Sequence, residues 1–245
     1  MSQLRRRLMQ WLRPLSGTPL HPQWLVLRHR AVNDAWVARH ATGRVLDVGC
    51  GDARLRRILP PELDYIGMDY PGTVALGYEG ARDLYGDAQA MPLAAASLDT
   101  VLLLDVLEHL PEPERALGEM ARVLRPGGRC LIHVPFYYPV HDAPHDYRRW
   151  TRFGLAALLA GAGFEIASVE ETADGVESAA GGLAMALAAG AIEALRARHP
   201  AALLLPFILV AVPVVNVFAY FFGRMLPATG LMPYGYRVLA ARPAS

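Results

Sequence analysis

A chain of 245 residues has the length of one domain and enough material to bury a proper core. Hydrophobic residues make up 53% and charged ones 19%, which excludes a disordered chain, and a net charge of +1 argues against a nucleic-acid partner. All 24 basic residues are arginine, so neither a Schiff-base lysine nor a phosphate-loop lysine is available.

The first predicted element is a basic amphipathic helix. Leu4, Leu8, Trp11 and Leu15 fall at helical spacing among Arg5, Arg6, Arg7 and Arg13. Such a helix suits an anionic bilayer surface or a dock on the fold. Arg13 and Pro14 break its apolar run and no small-residue cleavage site follows, so a cleaved signal is not expected. A second helix is predicted over Pro22–His40, with Pro22 in its first turn.

From Arg44 onward short apolar strands alternate with helices. RVLDVG reads as strand one, DARLRRIL as the helix after it, DYIGMD as strand two and DLYGD as strand three. LDTVLLLDV, apolar without interruption, suits a strand four covered on both faces. EPERALGEMARVL reads as a helix stopped by Pro126-Gly127-Gly128, and RCLIHV as strand five. FGLAALLAGAG is a helix and FEIASVE strand six. The alternation predicts a parallel sheet with right-handed crossovers. Cys50 and Cys130 sit at buried strand ends, and a lone pair points to a reducing compartment.

The order then breaks. Ala179–Leu195 is Ala- and Gly-rich, and Ala201–Phe222 is an uncharged run long enough to span a bilayer. YGYRVLAARP closes the chain as one more strand. If it joins the sheet that holds FEIASVE, the insertion must enter and return, as a two-helix hairpin or as helices lying in the interface. Ala179–Leu195 is a weak first arm, and Arg196, Arg198 and Arg224 are expected at head-group level. A soluble helical lid or dimer interface is the alternative.

The sharpest signal is VLDVGCGDARL. Asp47 ends a strand, and Gly49 and Gly51 let the chain turn before the next element. A dinucleotide fingerprint needs a small residue three beyond the second glycine, where Arg54 stands. Strand two ends in Asp69, strand three leads into Gly86-Asp87-Ala88 and strand four ends in Asp105. Their order along one sheet carries more weight than any of them alone.

The run from Val45 to about Glu171 resembles the class I S-adenosylmethionine-dependent methyltransferases, in the branch related to the ubiquinone and menaquinone biosynthesis enzymes. GDAQAMPLAAASLDTVLLLDVLEHLPEPERALGEMARVLRPGG is close to that branch's usual wording. The family loop runs acidic-x-Gly-x-Gly-x-Gly; here Ala53 replaces the last glycine. The resemblance implies a doubly wound, seven-stranded Rossmann-like α/β sheet with its last strand antiparallel, and S-adenosylmethionine as cofactor. It implies that Asp47, Gly49, Cys50 and Gly51 line the methionine end, and that Asp69 holds the ribose with Tyr70 beside the adenine. Asp87 and the Ala88 N–H would meet the adenine, and Asp105 the cavity wall near the sulfonium.

After strand five, VPFYYPVHDAPHDYRRWT overlooks the cofactor crevice. His141 and His145 are the candidate general bases, with Asp142 and Asp146 to orient them, and Tyr147 and Arg148 are candidate acceptor contacts. Similar loops occur in methyltransferases that look to act on cell-surface saccharide or lipid intermediates. A salt-bridged surface loop is the bland alternative. A divalent metal would suit His141, Asp142, His145 and Asp146, but methyl transfer requires none and none is expected. A His-Asp phosphohydrolase would spread its ligands over several helices, which this loop does not. His109 reads as a helix-entry residue.

The expected organisation is N-terminal helices over 1–40, a methyltransferase core over 41–175, an apolar helical insertion over 176–230 and the last strand over 231–245. The expected function is methyl transfer from S-adenosylmethionine to a small or lipid-linked acceptor at the cytoplasmic side of a membrane. Alternatives are a soluble cytoplasmic methyltransferase of a sugar or quinone precursor, and a non-catalytic cofactor-binding module. The acceptor's identity and the oligomeric state are not readable.

Overall fold

The computed structural model describes residues 13–77, 80–173 and 175–244, so the predicted basic helix lies almost entirely outside the described residues. The described residues divide into two compact units: one within 33–136, 140–170 and 235–244, the other within 13–32, 137–139 and 171–234.

The first unit is built on seven strands. They are β1 (Arg44–Val48), β2 (Asp64–Asp69), β3 (Leu84–Tyr85), β4 (Leu98–Leu104), β5 (Leu124–Pro135), β6 (Glu165–Thr172) and β7 (Gly235–Ala241). Their order is β3-β2-β1-β4-β5-β7-β6. β1 runs parallel to both β2 and β4, and β5 runs parallel to β4. β7 is antiparallel to β5, so the last strand has the direction the family resemblance implies. The winding reverses between β1 and β4, which opens a crevice at their carboxyl ends.

β4 is buried at Leu98 and from Thr100 to Leu103, as its unbroken apolar run requires of a strand covered on both faces. The covering follows from helical spacing. With α1 at Trp24–Leu27 and α2 at Arg30–His40, the helix α3 (Pro113–Val123) places Ala116, Leu117, Met120 and Val123 on one stripe in the same cluster as Leu103 and Ile132. α4 (Arg152–Gly161) starts where the Thr151 hydroxyl accepts from the Gly154 N–H at 3.1 Å.

Two helices differ from the sequence reading. DARLRRIL forms only a 3-10 turn over Arg54–Arg57, because the left-handed Ala53 bends the chain on one side and Pro60 closes it on the other. The single helix expected over Pro22–His40 is divided into α1 and α2, and the break brings the side chains of Arg28 and His29 to Glu177.

In the second unit the expected weak arm is a full helix, α5 (Gly175–Arg196), which packs against α6 (Leu205–Met225) across a short connection. α6 buries Val212, Asn216, Ala219 and Gly223, which are small or polar, at helical spacing. Asn216 donates to the carbonyls of Pro19 and His21 at 2.7 and 3.1 Å. The large apolar residues face outward: Phe207 is 73% exposed and Met225 75%, and Val210, Val214, Phe218 and Phe221 are exposed too. Both helices are long and apolar enough to cross a membrane. Arg196 and Arg198 lie at the connection and Arg224 in the last turn of α6, so these arginines sit at opposite ends of the hairpin. A 21-residue helix is about 30 Å long, roughly the thickness of a bilayer core.

Candidate active site

The turn after β1 carries three left-handed residues: Gly49 at φ 74°, Gly51 at 53° and Ala53 at 47°. Its first two N–H groups, of Gly49 and Cys50, both donate to the Met68 carbonyl at 2.8 and 3.1 Å, which pins the turn to β2. A Cβ on Gly49 would collide with Val106 Cγ2, so glycine is required there for packing as well as for its backbone angle. Ala53 holds a left-handed backbone in spite of its Cβ, at a strain of about 1–2 kcal/mol.

Acidic groups surround that turn. Asp47 is buried, and its Oδ2 accepts from the Tyr65 hydroxyl at 2.5 Å. Burial pushes its carboxyl up to about 6, although the Tyr65 hydrogen bond pulls the other way. Asp69, equally buried at the end of β2, accepts from the Tyr70 N–H at 2.8 Å, while the Tyr70 ring is exposed. Asp87 accepts from the Gln89 N–H at 2.8 Å in its own tight turn, and the adjacent Ala88 is buried. Asp105, with a left-handed φ of 56°, ends β4 and lies 2.6 Å from His133 Nδ1. Bare peptide at a switch point, acids at the ends of adjacent strands and a second acid beyond fit a nucleoside with a cationic centre. Asp47, Gly49 and Gly51 are the residues to hold its charged end and Asp69 its hydroxyls.

The loop from His141 to Arg149 does not act as one group. His141 and Asp146 meet: the ring Nδ1 is 3.3 Å from Asp146 Oδ2, and the His141 N–H donates to the same oxygen at 2.9 Å. Asp146, five residues along the chain, is therefore placed to orient His141. Burial pushes Asp146 up, but two hydrogen bonds from Arg149 at 2.5 and 2.7 Å and the His141 N–H hold it at about 2. His145 is exposed, with Nδ1 3.3 Å from the Tyr147 hydroxyl. Asp142 has a left-handed φ of 45°, and its carbonyl accepts from the His145 N–H at 3.1 Å. Arg148 donates to the carbonyls of Leu110 and Pro111 at 2.7 and 3.0 Å, so it fastens the loop to the segment after β4.

That segment holds what sequence reasoning missed. The short 3-10 turn Leu107–His109 does not merely enter a helix: His109 Nε2 lies 3.1 Å from His141 Nε2. Glu108 beside it is fully buried, and neither carboxylate oxygen has a hydrogen-bond partner among the described residues. Desolvation pushes this carboxyl well above its ordinary range, and the charge of Asp105 adds to the effect. The available signal was an acid inside an apolar pentapeptide, Val106 to Leu110.

A family profile described as a methyltransferase domain matches residues 46–132. The Mycolicibacterium smegmatis protein named Probable S-adenosylmethionine-dependent methyltransferase is 33% identical over 57% of this chain and 58% of its own length. The ubiquinone/menaquinone biosynthesis C-methyltransferase of Methylobacterium nodulans is 34% identical over 54% of this chain and 61% of its own. The chain thus spans about three fifths of the length of these curated relatives. Among solved structures, an S-adenosylmethionine-dependent methyltransferase from Archaeoglobus fulgidus superposes with a TM-score of 0.52 over 86% of this chain and 94% of its own, at 18% identity. The cyclase SpnF gives 0.52 over 89% of this chain and 82% of its own, at 19% identity. These two likenesses show the fold and not the reaction. Residues 46–132 thus match a methyltransferase-domain profile, and the curated relatives that this chain resembles are named as S-adenosylmethionine-dependent and quinone-biosynthesis methyltransferases.

Proposed function

We propose that this protein transfers a methyl group from S-adenosylmethionine to a small or lipid-linked acceptor close to a membrane. The observation that carries the reading is the turn after β1 at the switch point, where Gly49, Gly51 and Ala53 hold left-handed angles and the two glycines leave the peptide bare. When bound, the cofactor supplies a methyl group already activated by a sulfonium. What remains for the chain is to bind, orient and exclude water. Asp47, Gly49, Cys50 and Gly51 face the charged end; Asp69, Tyr70, Asp87 and Ala88 take the nucleoside; Asp105 lines the wall. On the acceptor side, Asp146 fixes the ring of His141, and the imidazole of His145 stands exposed. Asp142, Tyr147 and Arg148 complete that loop.

The membrane part of the reading rests on α6, which buries small residues and turns its phenylalanines outward. β6 and β7 belong to one sheet and flank the hairpin in sequence, so the hairpin leaves and returns on one side. That suits a re-entrant or interfacial attachment to the cytoplasmic leaflet. Calorimetric titration with S-adenosylhomocysteine should give one site per chain, lost in Gly49→Val. S-adenosylhomocysteine release should appear with lipid extracts added as vesicles. Folded protein that gives no heat with the donor or its product would end the methyltransferase reading; turnover confined to soluble sugars or quinone precursors would end the membrane part alone.

A further inference from the structure

We propose that Glu108, His109 and His141 form a binding site for one divalent transition metal, of the type zinc, manganese or iron, beside the methyl-donor turn. Three facing atoms define it. His109 Nε2 and His141 Nε2 are 3.1 Å apart, and each lies 3.8–3.9 Å from the same oxygen, Glu108 Oε1. A point equidistant from these three atoms is about 2.1 Å from each, the bond length of such a metal to imidazole nitrogen or carboxylate oxygen. Magnesium and calcium demand mostly oxygen, so two imidazoles select against them.

The surroundings have the character of a metal's outer shell. His109 Nδ1 lies 2.9 Å from the His145 carbonyl, and since a carbonyl only accepts, that nitrogen carries the proton. The lone pair of its ring is thereby left on Nε2, toward His141. His141 has Asp146 Oδ2 3.3 Å from its Nδ1, the carboxylate–histidine arrangement that orients metal ligands elsewhere. Asp146 is in turn held by Arg149 through both oxygens. A fully buried glutamate without a hydrogen-bond partner among the described residues is costly by itself, and a cation between it and two imidazoles removes that cost. The Tyr147 N–H donates to the Glu108 carbonyl at 2.9 Å, so the two ligand-bearing segments are fastened together.

Three protein ligands leave positions for an oxygen of another molecule, as in catalytic rather than structural sites. Val106, whose Cγ2 fills the space beside Gly49, stands two residues from Glu108. The ion would therefore hold an acceptor's hydroxyl or carboxylate close to the donor. That role rests on the methyl-transfer reading; the binding of the ion does not.

The full chain, stripped with a chelator and dialysed, is titrated with Zn²⁺ by calorimetry, and with Co²⁺ while visible absorption is recorded. One ion per chain is expected, with a cobalt spectrum indicating nitrogen ligation. Glu108→Gln and His141→Ala should each abolish uptake, and Asp146→Asn should weaken it by about 10–100-fold with circular dichroism unchanged. No uptake by the folded wild type overturns the site, as does unchanged affinity in both ligand variants. The cobalt spectrum of the wild type keeps the test decisive if a variant does not fold. Zinc uptake without S-adenosylhomocysteine binding would sink the methyltransferase reading and keep the metal; the reverse pattern would do the opposite.

Discussion

Two helices of nearly opposite design occur in this sequence, α3 and α6. α3 turns Ala116, Leu117, Met120 and Val123 inward and gives its other faces to Glu114, Arg115, Glu119 and Arg122. α6 turns Val212, Asn216, Ala219 and Gly223 inward and presents phenylalanine, leucine and valine outward. Both helices have proline in the first turn, and α6 carries a second, Pro213, inside it. The difference lies in what each expects as its solvent. α3 is drawn to its sheet by the release of water from its apolar stripe, whereas α6 meets its neighbours through small residues and a polar anchor, and its apolar surface is left for something else to cover.

If that contrast is real, mutations on the two helices separate. Leu117→Ala, which empties a fully buried position under α3, should cost about 2–5 kcal/mol in denaturant unfolding. The second largest effect belongs to the core unit as well, and depends on pH. The folded chain keeps a proton on Asp47 up to about pH 6, whereas the unfolded chain releases it near 3.8. Stability conferred by the protonated form is thus lost as pH climbs through that window, by at most about 3 kcal/mol. Asp47→Asn should flatten the unfolding profile between pH 4 and 6 and raise stability at pH 7.5, while weakening S-adenosylhomocysteine binding. Ala53→Gly should relieve the left-handed strain and add about 1 kcal/mol, measured by the same unfolding. The smallest stability change is expected on α6: Phe207→Ser with Phe221→Ser should shift unfolding by under about 0.5 kcal/mol per site in detergent. The same pair should strip the protein from vesicles in a flotation assay. A large loss of stability there, with vesicle binding unchanged, would make α6 an ordinary buried helix and dissolve the contrast.

The sheet was readable because its strands obey local rules. Val45 to Asp47, Ile66 to Asp69 and Val101 to Leu104 are apolar runs ending in an acid or leading into one, and their order specifies a doubly wound sheet. The cofactor turn was readable for the same reason, since left-handed geometry at Gly49 and Gly51 is written into residue type. Failures came where distant residues decide. Arg28 and His29 break a predicted helix to reach Glu177, far along the chain. His141 takes its orienting carboxylate from Asp146 and its ring neighbour from His109, and no spacing rule relates His109 to His141. The helix α5 forms over Gly175–Arg196 because alanine and glycine lower hydropathy without lowering the capacity to pack closely.

The order β5-β7-β6 has a consequence for the making of the protein. β7, synthesised after β6, is interior, so the edge strand β6 leaves the ribosome before the partner that ties it to the rest exists. The hairpin emerges in that interval, with its greasy surface already available to whatever receives it. A nascent chain stopped short of Gly235 would therefore be missing two places in the sheet, not one.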